Sequence, residues 1–89
     1  MTESETSLRR KRLLHRSRYR GCLECDILLG RFAARHLAGF DARRLDQFEA
    51  LLEEADADIL AWVSGRRPVP ARHDNEVMAL LRRFDPAAR

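Results

Sequence analysis

No stretch of this 89-residue sequence stays apolar for the roughly 18–20 residues that a membrane-spanning helix needs. Nothing near the start has the short apolar core of a secretory leader. The opening residues, MTESETS, carry Glu3 and Glu5, and acids are scarce in mitochondrial presequences. A reducing cytoplasm is the compartment these residues predict. Cysteine is nearly absent: there are two, Cys22 and Cys25. A structural zinc site takes four ligands, usually with a second Cys pair or a His pair, and His15, His36 and His73 are placed singly. A thioredoxin-like dithiol expects a βαβ setting, which the sequence does not offer. The pair reads as two small, soft side chains near a helix start, and no metal ligands are expected. The four glycines are isolated, which leaves no loop to cradle a phosphate. No Ser, Asp or Cys stands at a recognisable nucleophile spacing from a histidine. A chain this short hides only about 60–65% of the surface of its unfolded state, leaving little stability for a deep catalytic pocket. The sequence therefore points away from an enzyme and toward a domain that works through its surface.

Charge is abundant and unevenly spread. Residues 1–20 hold seven basic and two acidic side chains, residues 21–65 four and nine, and residues 66–89 six and three. Basic ends around an acidic middle argue against a uniformly cationic nucleic-acid coat. They suit a protein whose N-terminal helix meets an acidic or phosphate-bearing surface. Lys11 is the only lysine; every other basic residue is arginine.

Strand-like alternation is missing, and spacings of 3 and 4 dominate. Residues 1–7 are small and polar, and disorder is expected there. Residues 8–19, LRRKRLLHRSRY, predict a basic helix that Gly21 ends. From Cys22 to Ala38, Leu23, Ile27, Gly30, Ala34 and Leu37 form one stripe, widened by Leu28, Leu29, Phe32 and Ala33. A helix this apolar is normally the central one of a bundle. Gly39 is a helix stop, and Asp41 an N-cap for a helix over 41–55 that buries Leu45, Phe48 and Leu52. A short helix over 56–65 has Asp56 or Asp58 as its cap and Gly65 as its end, with Ile59, Trp62 and Val63 in the core. Residues 66–73 contain Pro68 and Pro70 and predict an extended connector. A last helix over 74–84 buries Val77, Leu80, Leu81 and Phe84 and ends on Arg82 and Arg83, as its dipole prefers. The expected architecture is a single all-α five-helix bundle over 8–85, with a tail at 86–89.

Two constellations remain. Arg9, Arg10, Lys11, Arg12, Arg16 and Arg18 would supply phosphate contacts to a DNA groove. They surround their helix, however, and the next helix is too apolar to be an exposed reader. The second is Arg20-Gly21-x-x-Glu24. With Gly21 at the N-cap and Glu24 at N3, a carboxylate favourable to the dipole reaches back to the cap. That alone accounts for the spacing. The same glycine also permits close backbone approach, and a guanidinium and a carboxylate beside it make a docking surface for another protein. Spacing leaves both open.

At these residues the sequence resembles a known family. RLLHRSRYRGCLECDILLGRFAARHL, residues 12–37, is similar to the signature of the succinate dehydrogenase assembly factors, the SdhE-like flavinylation factors of bacteria and their mitochondrial counterparts. The family's RGxxE motif falls on Arg20, Gly21 and Glu24, and its following acid on Asp26. The similarity continues through FEALLEEADADILAWVSGRRPVP (48–70) and NEVMALLRRF (75–84). It implies a five-helix bundle that assists covalent attachment of FAD to the flavoprotein subunit of succinate dehydrogenase, with fumarate reductase as a further client. The FAD is carried by the client, whose own residues form the bond. The implied partner-binding set is Arg20, Gly21, Glu24 and Asp26, with Arg16 and Tyr19 just before them. No nucleic acid, no membrane insertion and a free monomer go with this reading. A small basic nucleic-acid binder is the alternative class, and a small catalytic protein the third.

Overall fold

The computed structural model describes residues 3–87, with side chains from Glu5 onward. The ends of the expected disordered segment and tail, residues 1–2 and 88–89, lie outside the described residues. Five α-helices follow one another: α1 (Glu3–Arg18), α2 (Leu23–His36), α3 (Ala42–Leu52), α4 (Asp56–Val63) and α5 (Glu76–Arg83). Short 3-10 turns lie at Leu37–Gly39 and Ala71–His73. Among the described residues there is no strand, and the all-α five-helix expectation holds.

The first helix starts earlier than expected. Residues 3–7, assigned to disorder from composition, form the opening turns of α1. They contain no glycine or proline to break a helix, and acids suit the positive end of its dipole. The helix turns Leu13 and Ser17 inward, at 2% and 0% exposure. The Ser17 hydroxyl is satisfied by donating to the Leu13 carbonyl at 2.7 Å. Across from it lies Gly30, where an added Cβ would come within 3.1 Å of Arg18 Cγ. The glycine thus sets how closely α1 and α2 approach.

The buried face of α2 is not the stripe expected. Cys25, Leu28, Leu29, Phe32 and Ala33 face the core, whereas Leu23 is 73% exposed and Ile27 38%. Ala34 is exposed as well. An apolar arc wider than half a helix cannot be covered entirely by neighbours in a domain of this size, so part of it faces water. Phe32 sits at the centre, its ring 5.6 Å from both Phe48 and Phe84, 6.1 Å from Phe40 and 4.8 Å from His36.

Asp41 caps α3 as expected, accepting from Arg44 N at 3.0 Å. The N-cap of α4 is Ala55, with no side-chain cap bond. Asp56 and Asp58, expected as caps, lie in its first turn and bind Arg20 and Arg67 instead. Gly65 ends that helix at φ +81°, a conformation open chiefly to glycine. The last helix begins later than expected, with Asn75 Oδ1 accepting from Met78 N at 3.0 Å. Trp62 is in the core as expected, at 5% exposure. His73, one of the three singly placed histidines, is buried at 3%. A carboxylate from a distant helix end draws it in: His73 Nε2 lies 2.5 Å from Glu54 Oε2. Leu80, expected in the core, is only half-buried.

Two arginines of the basic helix are also less free than their sequence suggests. Arg9 Nη2 binds Asp46 at 2.6 Å and Glu49 at 3.3 Å. Arg10 donates to the carbonyls of Leu37 at 3.0 Å and Phe40 at 2.8 Å. The acids of α3 and the end of α2 consume charge that composition alone leaves exposed.

Candidate functional site

Residues 19–22 carry the chain from α1 into α2. The reversal turns on Gly21, at φ +92°, where a side chain would be strained. An added Cβ there meets nothing within 4 Å, so the backbone is bare toward solvent. Cys22 is the N-cap of α2, with φ −114° and ψ 117° and no side-chain cap bond. Gly21 therefore lies one residue outside the position expected for it, and Glu24 stands at N2, not N3. In the first turn its exposed carboxylate still faces the favourable end of the helix dipole.

Arg20 differs most from its expected role. Its side chain is only 12% exposed and turns away from the motif. Nε binds Asp56 Oδ1 at 2.5 Å, Nη1 the Leu52 carbonyl at 2.8 Å and Nη2 the Glu54 carbonyl at 2.7 Å. Orphan carbonyls at the end of α3 are the natural partners of such a cation. The guanidinium is thus a staple between the α1–α2 turn and the α3–α4 turn. Asp26 has an inward role too, accepting from the Arg20 backbone N–H at 2.8 Å. Arg16 pairs with Glu53 at 2.6 Å.

Of the six residues expected to meet a partner, Tyr19, Gly21 and Glu24 face solvent, while Arg16, Arg20 and Asp26 are engaged within the fold. Tyr19 is 71% exposed, with its ring 4.6 Å from that of His15. It stands between two shallow grooves, one shared with Leu52, Ala55 and Asp56, the other with Ile27, Gly30 and Ala34. Leu23 and Ile27 belong to this surface and were missed, because their apolar character sent them to the core. The excess width of the apolar arc on α2 was the available signal.

Beneath the patch lie both thiols. Cys22 is half-buried and Cys25 buried. Their sulfurs and a carboxylate oxygen of Asp56 all lie within 4.8 Å of one another. Burial, and then a hydrogen bond with Cys22, push the Cys25 thiol up to about 12. This trio is the strongest metal-ligand grouping among the described residues. A cation there would have to share Asp56 with the Arg20 guanidinium, so the donor set fits a metal poorly.

A family model described as flavinator of succinate dehydrogenase matches residues 11–85. The chain belongs to this family. It is 44% identical over 77 residues to succinate dehydrogenase assembly factor 2, mitochondrial, of Aedes aegypti, an alignment covering 84% of this chain and 48% of that protein. Against assembly factor 2-A of Drosophila erecta the identity is 43% over 76 residues, 83% of this chain and 47% of the relative. The Culex quinquefasciatus factor is 42% identical over 77 residues, 84% and 48% of the two chains. The chain thus spans about half the length of the curated relatives it matches. The family resemblance carried by residues 12–37 is borne out. The cytoplasmic expectation is corrected: these relatives are named as mitochondrial proteins. That expectation rested on the lack of a leader-like or long apolar run, on the two cysteines and on the acids of residues 1–7, which lie outside the matched span. No helix is long and apolar enough to cross a membrane among the described residues.

Proposed function

We propose that this domain binds the flavoprotein subunit of succinate dehydrogenase and promotes covalent attachment of FAD to it, the client carrying both the cofactor and the bond-forming residues. A fumarate reductase flavoprotein is a second client of the same kind. The observation that carries this reading is the surface around Gly21. Tyr19, Leu23 and Ile27, three of the four large hydrophobic side chains exposed among the described residues, adjoin a glycine with nothing over it and the free carboxylate of Glu24. Exposed apolar side chains clustered beside bare backbone mark a place where another protein docks. In this proposal Arg20 and Asp26 act behind the surface, holding the turn rigid from within.

This assigns the domain a non-catalytic role: it holds the client in a state competent for flavinylation. A nucleic-acid role fits less well. Of the six basic residues available for phosphate contacts, Arg9, Arg10 and Arg16 are bound to acids or carbonyls of the fold, which leaves Lys11, Arg12 and Arg18. The decisive experiment is to express the client flavoprotein with and without this protein and measure covalently bound flavin. Equal flavinylation in both would end the proposal. Salt-sensitive retention on DNA would favour the alternative.

A further inference from the structure

The thiol pair under the docking surface has no part in the proposed function. We propose that Cys22 and Cys25 are a redox-active dithiol that exchanges with small disulfides of the glutathione type and closes an intramolecular disulfide across the first turn of α2. Three observations lead there. First, the two residues occupy the N-cap and N3 positions of α2, and side chains three apart on a helical turn are neighbours. Their sulfurs are already within 4.8 Å of each other, so a side-chain rotation at the extended, non-helical N-cap is the movement that bonding requires. Second, the two thiols differ in access. Cys22 is half-buried, while Cys25 has 0% exposure. Third, Cys22 makes no cap bond to the helix backbone and faces Cys25 across the turn, whereas Cys25 Sγ is held 3.7 Å from the Asp56 carbonyl.

That asymmetry divides the labour. Cys22 attacks one sulfur of the small disulfide as a thiolate, breaking its S–S bond, forming a mixed disulfide and expelling one glutathione thiolate. Cys25 is shielded from an outside disulfide, and burial keeps it protonated. The mixed disulfide at Cys22 is then the only electrophile within its reach. Cys25 gives up its proton to a departing thiolate, attacks Cys22 Sγ and releases the second glutathione. Two protein thiols are oxidised and one small disulfide is reduced to two thiols, with both cysteine protons leaving on the products. Closure takes Cys25 Sγ off the Asp56 carbonyl in the first turn of α4. The exchange needs no partner protein, so its test is independent of the proposed client.

The test uses the full chain, folded by circular dichroism, equilibrated in buffers of varied reduced to oxidised glutathione ratio, then quenched in acid, alkylated and weighed. The expected result is joint loss of both alkylatable thiols, a mass lower by two hydrogens, no retained glutathione and full reversal in excess reduced glutathione. Cys25→Ala should stop at one glutathione adduct on Cys22. Cys22→Ser, which places a good capping side chain at the N-cap, should leave Cys25 unreacted while the chain is folded. Retention of both free thiols in oxidised glutathione would overturn the proposal, as would disulfide-linked dimers as the product. Modification of Cys25 in folded Cys22→Ser at the unmodified chain's rate would overturn it equally.

Discussion

Arg20 Nε lies 2.5 Å from Asp56 Oδ1, and the pair joins the turn before α2 to the first turn of α4. The same guanidinium also holds the Leu52 and Glu54 carbonyls, so three acceptors from one neighbouring turn share a single planar fork. Removing it exposes a carboxylate and two carbonyls with no replacement donor. Arg20→Ala should therefore destabilise the fold by about 2–3 kcal/mol, the scale of charge-assisted hydrogen bonds lost from a partly buried site. Arg20→Lys should recover less than half, since one ammonium cannot span three acceptors set for a fork. Urea unfolding checks both. If Arg20→Ala unfolds like the unmodified chain yet no longer binds the client, the guanidinium belongs to the interface after all.

Arg9 and Arg10 separate two kinds of charged contact. Arg10 satisfies the Leu37 and Phe40 carbonyls at the end of α2, groups that lose a partner when it goes. Arg9 pairs with Asp46 and Glu49, of which Asp46 is 71% exposed, and water replaces such contacts readily. Arg10→Ala should cost about 1–2 kcal/mol and Arg9→Ala under about 1 kcal/mol. Lys11→Ala, on the exposed side, should cost nothing measurable. Equal effects at all three positions in chemical denaturation would contradict this ordering.

These arginines show where sequence reasoning stops. Helix number, the order of elements, the Asp41 cap and the Gly65 stop follow from local spacing and backbone chemistry, which the sequence displays directly. Phe48, expected in the core, has 0% exposure. What spacing does not display is which of several chemically equal groups meets which. Arg20 and Arg12 are both arginines in a basic segment; only tertiary placement gives one three acceptors and leaves the other exposed. His73 lies in a connector expected to run extended, and Glu54 brings it inside. Leu23 went to the core on its hydrophobicity, yet it sits at the start of α2 where no neighbouring helix covers it. At the candidate site the motif's location was legible, and the direction each of its side chains takes was not.

Acid should destabilise the protein through two groups, the upper window opening at 6.5 and the lower one at 4.5. Burial, and secondarily the Arg35 charge, hold His36 below its ordinary value of 6.5. The unfolded chain then takes up a proton before the folded one does, so stability falls as pH drops through 6.5 and levels off below the folded value. Glu54 is held below its ordinary 4.5, chiefly by the hydrogen bond from Arg72 and then by His73. Its contribution is complete above 4.5 and is lost as pH falls through the lower folded value. His36→Phe should flatten the upper window, and Glu54→Gln the lower one. Melting temperatures across pH 3–8, about the range spanned by both ordinary values, would show it. A variant that leaves its own window unchanged refutes that assignment.

The docking surface can be tested apart from the fold, because its most specific residue is glycine for a backbone reason. At φ +92° Asn is tolerated far better than other side chains, and an added Cβ meets no atom within 4 Å. Gly21→Asn should therefore melt close to the unmodified protein. Gly21→Arg should lose about 1–2 kcal/mol to backbone strain. Both should fail in pull-down of the flavoprotein and in its covalent flavin content, since each projects a side chain from the bare backbone. Leu23→Asp supplies a control with no strain. Leu23 is 73% exposed, so little burial is lost, and an acid in the first turn of α2 favours the helix by about 0.3–1 kcal/mol. Its stability should be unchanged or slightly raised while client binding falls. The two sites thus disrupt docking by different means with opposite effects on folding, and a general loss of structure cannot produce both. Should folded Gly21→Arg and Leu23→Asp each support flavinylation at the unmodified level, the client docks elsewhere on this domain.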